Sequence, residues 1–217
     1  MAQAATGRSG VDTVVIDYGA GNLHSIARAL THVGCAVRVE REPSAAARAD
    51  LLVLPGQGRF GQVARAFKAS GFEPLVREHI AADRPFLGIC VGLQLLLDSS
   101  EEDPDEPGLG VVTGRVKRFA GDVAVPQMGW NELNVIGAGP LLAGVPDGAY
   151  AYFANSFYAD PDLEAPGALT TYGSTRFLSA FSVGNLHATQ FHPEKSQGVG
   201  LRILANVRGT VVAGAAA

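Results

Sequence analysis

The sequence is poor in cysteine, methionine and tryptophan, with two, two and one among 217 residues. Two thiols, Cys35 and Cys90, cannot build a disulfide framework, and the expectation is a cytoplasmic protein with reduced cysteines. No segment reaches the ~20 consecutive apolar residues of a membrane span, because the longest apolar run, Pro85 to Leu97, is interrupted by Gln94. The opening MAQAATGRSG lacks the apolar stretch of a secretory signal and reads as a loose tail over 1–10. Basic residues do not cluster: Lys and Arg number 17 against 21 Asp and Glu, a formal net charge of −4. That leaves no footprint for a phosphate backbone. No segment recurs at the period of a solenoid.

What is present is a globular composition, 47% hydrophobic and 18% charged, enough to bury one core over 11–209 and leave a loose tail over 210–217. TVVID (Thr13 to Asp17) is β-branched and almost wholly apolar, as a strand covered on both faces should be. Leu23, Ile26, Ala27, Leu30 and Val33 then keep helical spacing up to Gly34, a residue suited to a left-handed helix cap. AVRVE and LLVLP predict two more strands, Gln62 to Ala69 and Pro74 to Ala82 two helices, and PFLGIC a strand running straight into a helical VGLQLLLDS. Such alternation predicts an α/β fold with a doubly wound, mostly parallel sheet flanked by helices. Beyond Ser99 the texture changes. SSEEDPDEPGLG reads as a solvated acidic loop, and the short runs that follow, separated by Gly and Pro, predict an added antiparallel sheet. Ser196 to Arg208 predicts a closing helix.

The segment Gly88-Ile89-Cys90-Val91-Gly92 has the form of a nucleophile elbow with cysteine at its apex. Glycines on both sides relieve crowding at a sharp strand-to-helix turn, and the sulfur then sits at a helix N-terminus, where partial positive charge favours thiolate. The N–H of Val91 faces any oxyanion formed there. A buried core cysteine is the competing reading for Cys90, and the one adopted for Cys35. A thiolate nucleophile needs a base, and the base an orienting group. FHPEKS offers both in His192 and Glu194, two residues apart on what reads as an extended stretch, with both side chains on one side of the chain. No second Cys or His stands at a chelating distance, so no metal is expected. Gly19-Ala20-Gly21 lacks the third glycine of a dinucleotide fingerprint, so no nucleotide cofactor is expected either. The turn Gly56-Gln57-Gly58 follows another strand and can line an oxyanion hole, although it is also an ordinary tight turn. His24, His32, His79 and His187 read as structural or solvated. Trp130 is either a core anchor or an interface aromatic.

With a cysteine elbow and a distant HPE, the sequence resembles the class I, triad-type glutamine amidotransferases. Within that family DYGAGNLHS, LPGQGRF, GICVGLQLL, PQMGWN, YFANSFY and QFHPEKS are most similar to the glutaminase subunits of imidazole glycerol phosphate synthase, which serve histidine biosynthesis. The resemblance implies a Cys90, His192 and Glu194 triad that hydrolyses glutamine through a thioester, with no cofactor. It implies oxyanion donors at Val91 and, after rearrangement, in the Gln57-Gly58 turn. It places the glutamine head group against Gly56, Gly58, Gln94, Asn155, Ser156 and Phe157. It also implies a heterodimer with a (β/α)₈-barrel synthase/cyclase subunit that receives the ammonia, with Met128, Trp130 and Lys195 at the interface. Gln57, Gln127 and Asn155 depart from the usual residues of the family at those positions. Three alternatives remain open: a glutaminase of pyridoxal phosphate synthase type, a non-catalytic amidotransferase-like regulatory module, and a cysteine hydrolase or protease on the same elbow.

Overall fold

The computed structural model describes residues 10–214; the expected tails fall outside this range at 1–9 and 215–217. The first half runs β1 (Val11–Ile16), α1 (Leu23–His32), β2 (Cys35–Glu40), α2 (Pro43–Ala46), β3 (Leu51–Gly56), α3 (Phe60–Ala69), α4 (Glu73–Ala81), β4 (Phe86–Cys90) and α5 (Val91–Gln94). The second half runs β5 (Ser99–Ser100), β6 (Gly114–Arg118), β7 (Gln127–Ile136), β8 (Ala149–Asn155), β9 (Phe157–Pro161), β10 (Gly167–Tyr172), β11 (Thr175–Val183), β12 (Leu186–Thr189), a 3₁₀ turn (Pro193–Lys195) and α6 (Gln197–Gly214). The apolar runs of β1, β3 and β4 are buried at every residue. Helix α1 starts where Asn22 caps the Ser25 N–H and is followed by Gly34 at φ +89°, a backbone angle that glycine adopts without strain.

The main sheet has nine strands in the order β2-β1-β3-β4-β12-β11-β10-β7-β8. The first five are mutually parallel and the remainder alternate in direction. The antiparallel strands of the second half therefore continue the parallel sheet rather than forming a separate one. Among the described residues, β5-β6-β9 make a small second sheet. Parallel β12, short and fully buried, is the joint between the two halves.

Three expectations are corrected. The helical run after Cys90 stops after one turn, because the chain returns at 108–112 and donates N–H groups from Leu109, Val111 and Val112 to the carbonyls of Leu95 and Leu96. The acidic loop is not simply solvated. Helix α3 has no side-chain cap of its own. Instead, Glu102 accepts from the Phe60 N–H at 2.7 Å and Asp103 from the Gly61 N–H at 2.9 Å, placing carboxylates at the positive end of the helix. The closing helix runs on to Gly214, past its expected end at Arg208.

Close approach between β3 and α5 depends on missing side chains. A Cβ on Gly92 would run into the Leu54 carbonyl oxygen, and one on Gly56 into the Gly92 nitrogen. Both contacts are with backbone, which cannot move aside. Gly92→Ala is expected to lower stability by about 3 kcal/mol, whereas Gly209→Ala, exposed on α6 with nothing within 4 Å, should raise it by about 0.5 to 1 kcal/mol. Denaturant unfolding of the two variants measures both.

Candidate active site

Cys90 ends β4 with φ +54° and ψ −111°, a left-handed conformation that an L residue holds only when its surroundings over-determine it. Pairing Gly56 with Cys90 on one side and Thr189 with Ile89 on the other, the sheet brings the carboxyl ends of β3 and β12 to either flank of the cysteine. Ligand sites in open parallel sheets form at such ends. The β12 side continues into Gln190, Phe191 and His192. The expected extended stretch at His192 and Glu194 is replaced by the 3₁₀ turn at Pro193, and the two side chains meet across it, with Nδ1 of His192 2.9 Å from Oε1 of Glu194. Cys90, His192 and the Glu194 side chain are all buried.

Burial alone drives the His192 imidazole towards its neutral form. The charge and hydrogen bond of Cys90, then the hydrogen bond and charge of Glu194, outweigh it and push the pKa up from 6.5 to about 10. His79 and His187, also buried, go the other way, each to about 4, because burial there meets no comparable negative partner. They hydrogen-bond to the Pro85 carbonyl and the Ser182 hydroxyl, and neither reaches the site.

A cleft of about 250 Å³ opens over the sulfur and is lined by Gln57, Gly58, Val91, Gln94, Asn155, Ser156 and Phe157 among others. Gly56 is not on its wall, since its Cα faces α5. Gln94 Nε2 donates to the Phe157 carbonyl at 3.0 Å and to Gln190 Oε1 at 3.1 Å. Asn155 Nδ2 also donates to the Phe157 carbonyl. The Gly56-Gln57-Gly58 turn is held at both ends and exposed in the middle. Tyr18, from the DYG segment, donates its hydroxyl to the Pro55 carbonyl at 2.6 Å, and the acidic loop caps α3 just beyond. Between these anchors Gln57 and Gly58 are exposed, and Gly58 has φ +108° with open space around its Cα.

Met128 and Lys195 lie on the rim of the cleft. Trp130 is exposed rather than a core anchor, and with Met128 (69% exposed) and Tyr150 (55%) it forms an apolar surface on the β7-β8 edge. Lys195 lies over the Tyr152 ring, 5.7 Å from its centroid. Two lining or contacting residues escaped the sequence reading. Glu102 looked like part of a solvated loop, yet it lines the cleft. Gln190 stands next to a recognisable motif, but its contact with Cys90 spans 100 positions and carries no local signal.

The family model of class I glutamine amidotransferases matches residues 14–207, and the chain belongs to that family. The imidazole glycerol phosphate synthase subunit HisH of Deinococcus radiodurans is 51% identical over 204 residues, covering 93% of this chain and 94% of its own. A HisH subunit of Thermus thermophilus is 50% identical over 202 residues, covering 90% and 96%. Within the family the chain therefore falls among the HisH subunits. A solved structure of PurLQS from Thermotoga maritima superposes with a TM-score of 0.67 at 16% identity, covering 94% of this chain and 98% of that one, which speaks to the fold. Among the described residues no helix is long and apolar enough to cross a membrane.

The charge balance at His192 is measurable. Its folded pKa lies above the unfolded value, so the stabilisation is complete below about pH 6.5 and lost as pH rises towards about 10. NMR titration of the ring should show imidazolium through neutral pH. Cys90→Ala should lower the inflection by about one unit or more; an unchanged inflection would contradict the coupling.

Proposed function

We propose that the chain is the glutaminase subunit of an imidazole glycerol phosphate synthase, hydrolysing glutamine to glutamate and ammonia through a thioester on Cys90. The observation that carries this reading is the strained Cys90 at the floor of the cleft, coupled to the buried His192-Glu194 pair. The thiolate attacks the side-chain amide carbon. Negative charge on the carbonyl oxygen is met by the N–H of Val91, the first residue of α5. Glu194 holds Nδ1, leaving Nε2 of the imidazolium to protonate the departing nitrogen as ammonia. The neutral imidazole then takes a proton from the water that cleaves the thioester. Glu102 on the cleft wall is an acceptor suited to the α-ammonium group of glutamine.

A second oxyanion donor comes from the Gln57-Gly58 peptide when it turns over. The freedom at Gly58 supports such a turn, and the anchors at Tyr18 and the acidic loop confine it to that peptide. The ammonia goes to a synthase/cyclase (β/α)₈-barrel subunit docked over Met128, Trp130 and Lys195. Exposed aromatic and methionine side chains beside the cleft suit an interface of that kind. Partner engagement sets the Gln57-Gly58 peptide, so the lone subunit is nearly inactive.

Ammonia release from glutamine tests the reading. Addition of the synthase subunit and its nucleotide substrate should raise the rate about a hundredfold or more, the worth of one oxyanion donor, and Cys90→Ala should abolish it. Equal hydrolysis by the lone subunit and the complex would refute the gating.

A further inference from the structure

The geometry assigns Gln190 a catalytic part: its side-chain N–H donates to Cys90 Sγ and stabilises the thiolate from the side opposite the Gly56 turn. The inference rests on Cys90 being the nucleophile and adds to its machinery a residue outside the triad. Nε2 of Gln190 lies 3.7 Å from Sγ, within hydrogen-bonding range for sulfur. Gln190 is fully buried, where an unsatisfied carboxamide would be costly, and both ends of its amide are used.

Its orientation is fixed by the other end. Oε1 accepts from Gln94 Nε2 at 3.1 Å and from the backbone N–H of Ala159 at 3.2 Å. Two donors aimed at one atom require that atom to be the oxygen, so the nitrogen must face the sulfur. The backbone is equally constrained: the Gln190 N–H donates to the Ser179 carbonyl at 2.8 Å, and the β4-β12 register sets Thr189 beside Ile89, leaving Gln190 beside Cys90. The amide cannot turn over, slide along the strand or reach water.

A hydrogen bond donated to a charged group favours the charged form. The Cys90 sulfur thus has a donor in Gln190 as well as the His192 imidazolium. Once His192 has given its proton to the leaving nitrogen, the Gln190 donor remains. It can then stabilise the sulfur when water expels it from the thioester. The same amide joins the sulfur to Gln94 and, through Ala159, to β9, which also supplies Phe157 to the cleft wall. Nucleophile and substrate-holding strand are therefore set by one network.

Two substitutions separate this role from packing. Gln190→Glu keeps the shape and an oxygen for Gln94 and Ala159, but replaces the N–H facing sulfur with a second oxygen. Gln190→Asn keeps the amide but draws it back by one methylene. Carbamidomethylation of Cys90 by iodoacetamide, followed by peptide mass spectrometry across pH, is read beside thermal unfolding, with Cys90→Ala marking any signal from Cys35. Both variants should react about tenfold more slowly at neutral pH, with the reactivity profile displaced to higher pH. In the complex, kcat for glutamine should fall with KM little changed. A wild-type profile in either folded variant would overturn the assignment to Gln190 alone. An inert Cys90 in the unmodified chain would instead overturn the nucleophile reading beneath it.

Discussion

The left-handed backbone of Cys90 is the constraint on which the rest of the site depends. A cysteine at φ +54° is held there because β4 is buried between β3 and β12 while α5 begins on the next residue. That turn fits only if α5 lies almost in contact with β3, and the contact exists because Gly56 and Gly92 have no side chains to separate them. Gly56 and Gly92 thus act less through flexibility than through distance. They let backbone meet backbone, and the sulfur is carried up to the carboxyl edge of the sheet as a result.

Around that point the sheet supplies partners by register. On one side β3 delivers a turn that is pinned at Pro55 by Tyr18 and at α3 by Glu102 and Asp103, with the Gln57-Gly58 peptide exposed between the two anchors. On the other side β12 delivers Gln190 and His192 on a rigid, fully buried path. In the proposed mechanism the buried groups on the β12 side act on the sulfur, and the exposed Gln57-Gly58 peptide acts on the developing oxyanion. The three buried histidines show how much the neighbours matter. Burial depresses all three, and only at His192 do a thiolate and a carboxylate reverse the outcome.

Local patterns made the parallel half of the fold legible, since β1, β3 and β4 are unbroken apolar runs and α1 has its cap and its glycine. They also exposed Cys90, His192 and Glu194, because elbow and HPE are short contiguous signals. What escaped notice was set by contacts distant in sequence. The acidic loop looked solvated because its partners, the N–H groups of α3, lie some 42 positions away. The leucine run after Cys90 looked helical because nothing nearby shows that the chain returns to take its carbonyls. The antiparallel strands were legible as an added sheet, but the short β12 that joins them to β4 has no distinctive composition to mark the joint. Gln190 and Glu102 were missed for the same reason: each is an ordinary polar residue until folding brings it to the cleft.

In the proposed mechanism the strained Cys90, and no other group, takes the glutamyl carbon of glutamine. The most direct test is acid quenching of the working complex during glutamine turnover, followed by mass spectrometry of its peptides. A γ-glutamyl adduct is expected on the peptide containing Cys90. Turnover with no adduct there, or an adduct on the Cys35 peptide instead, would contradict it.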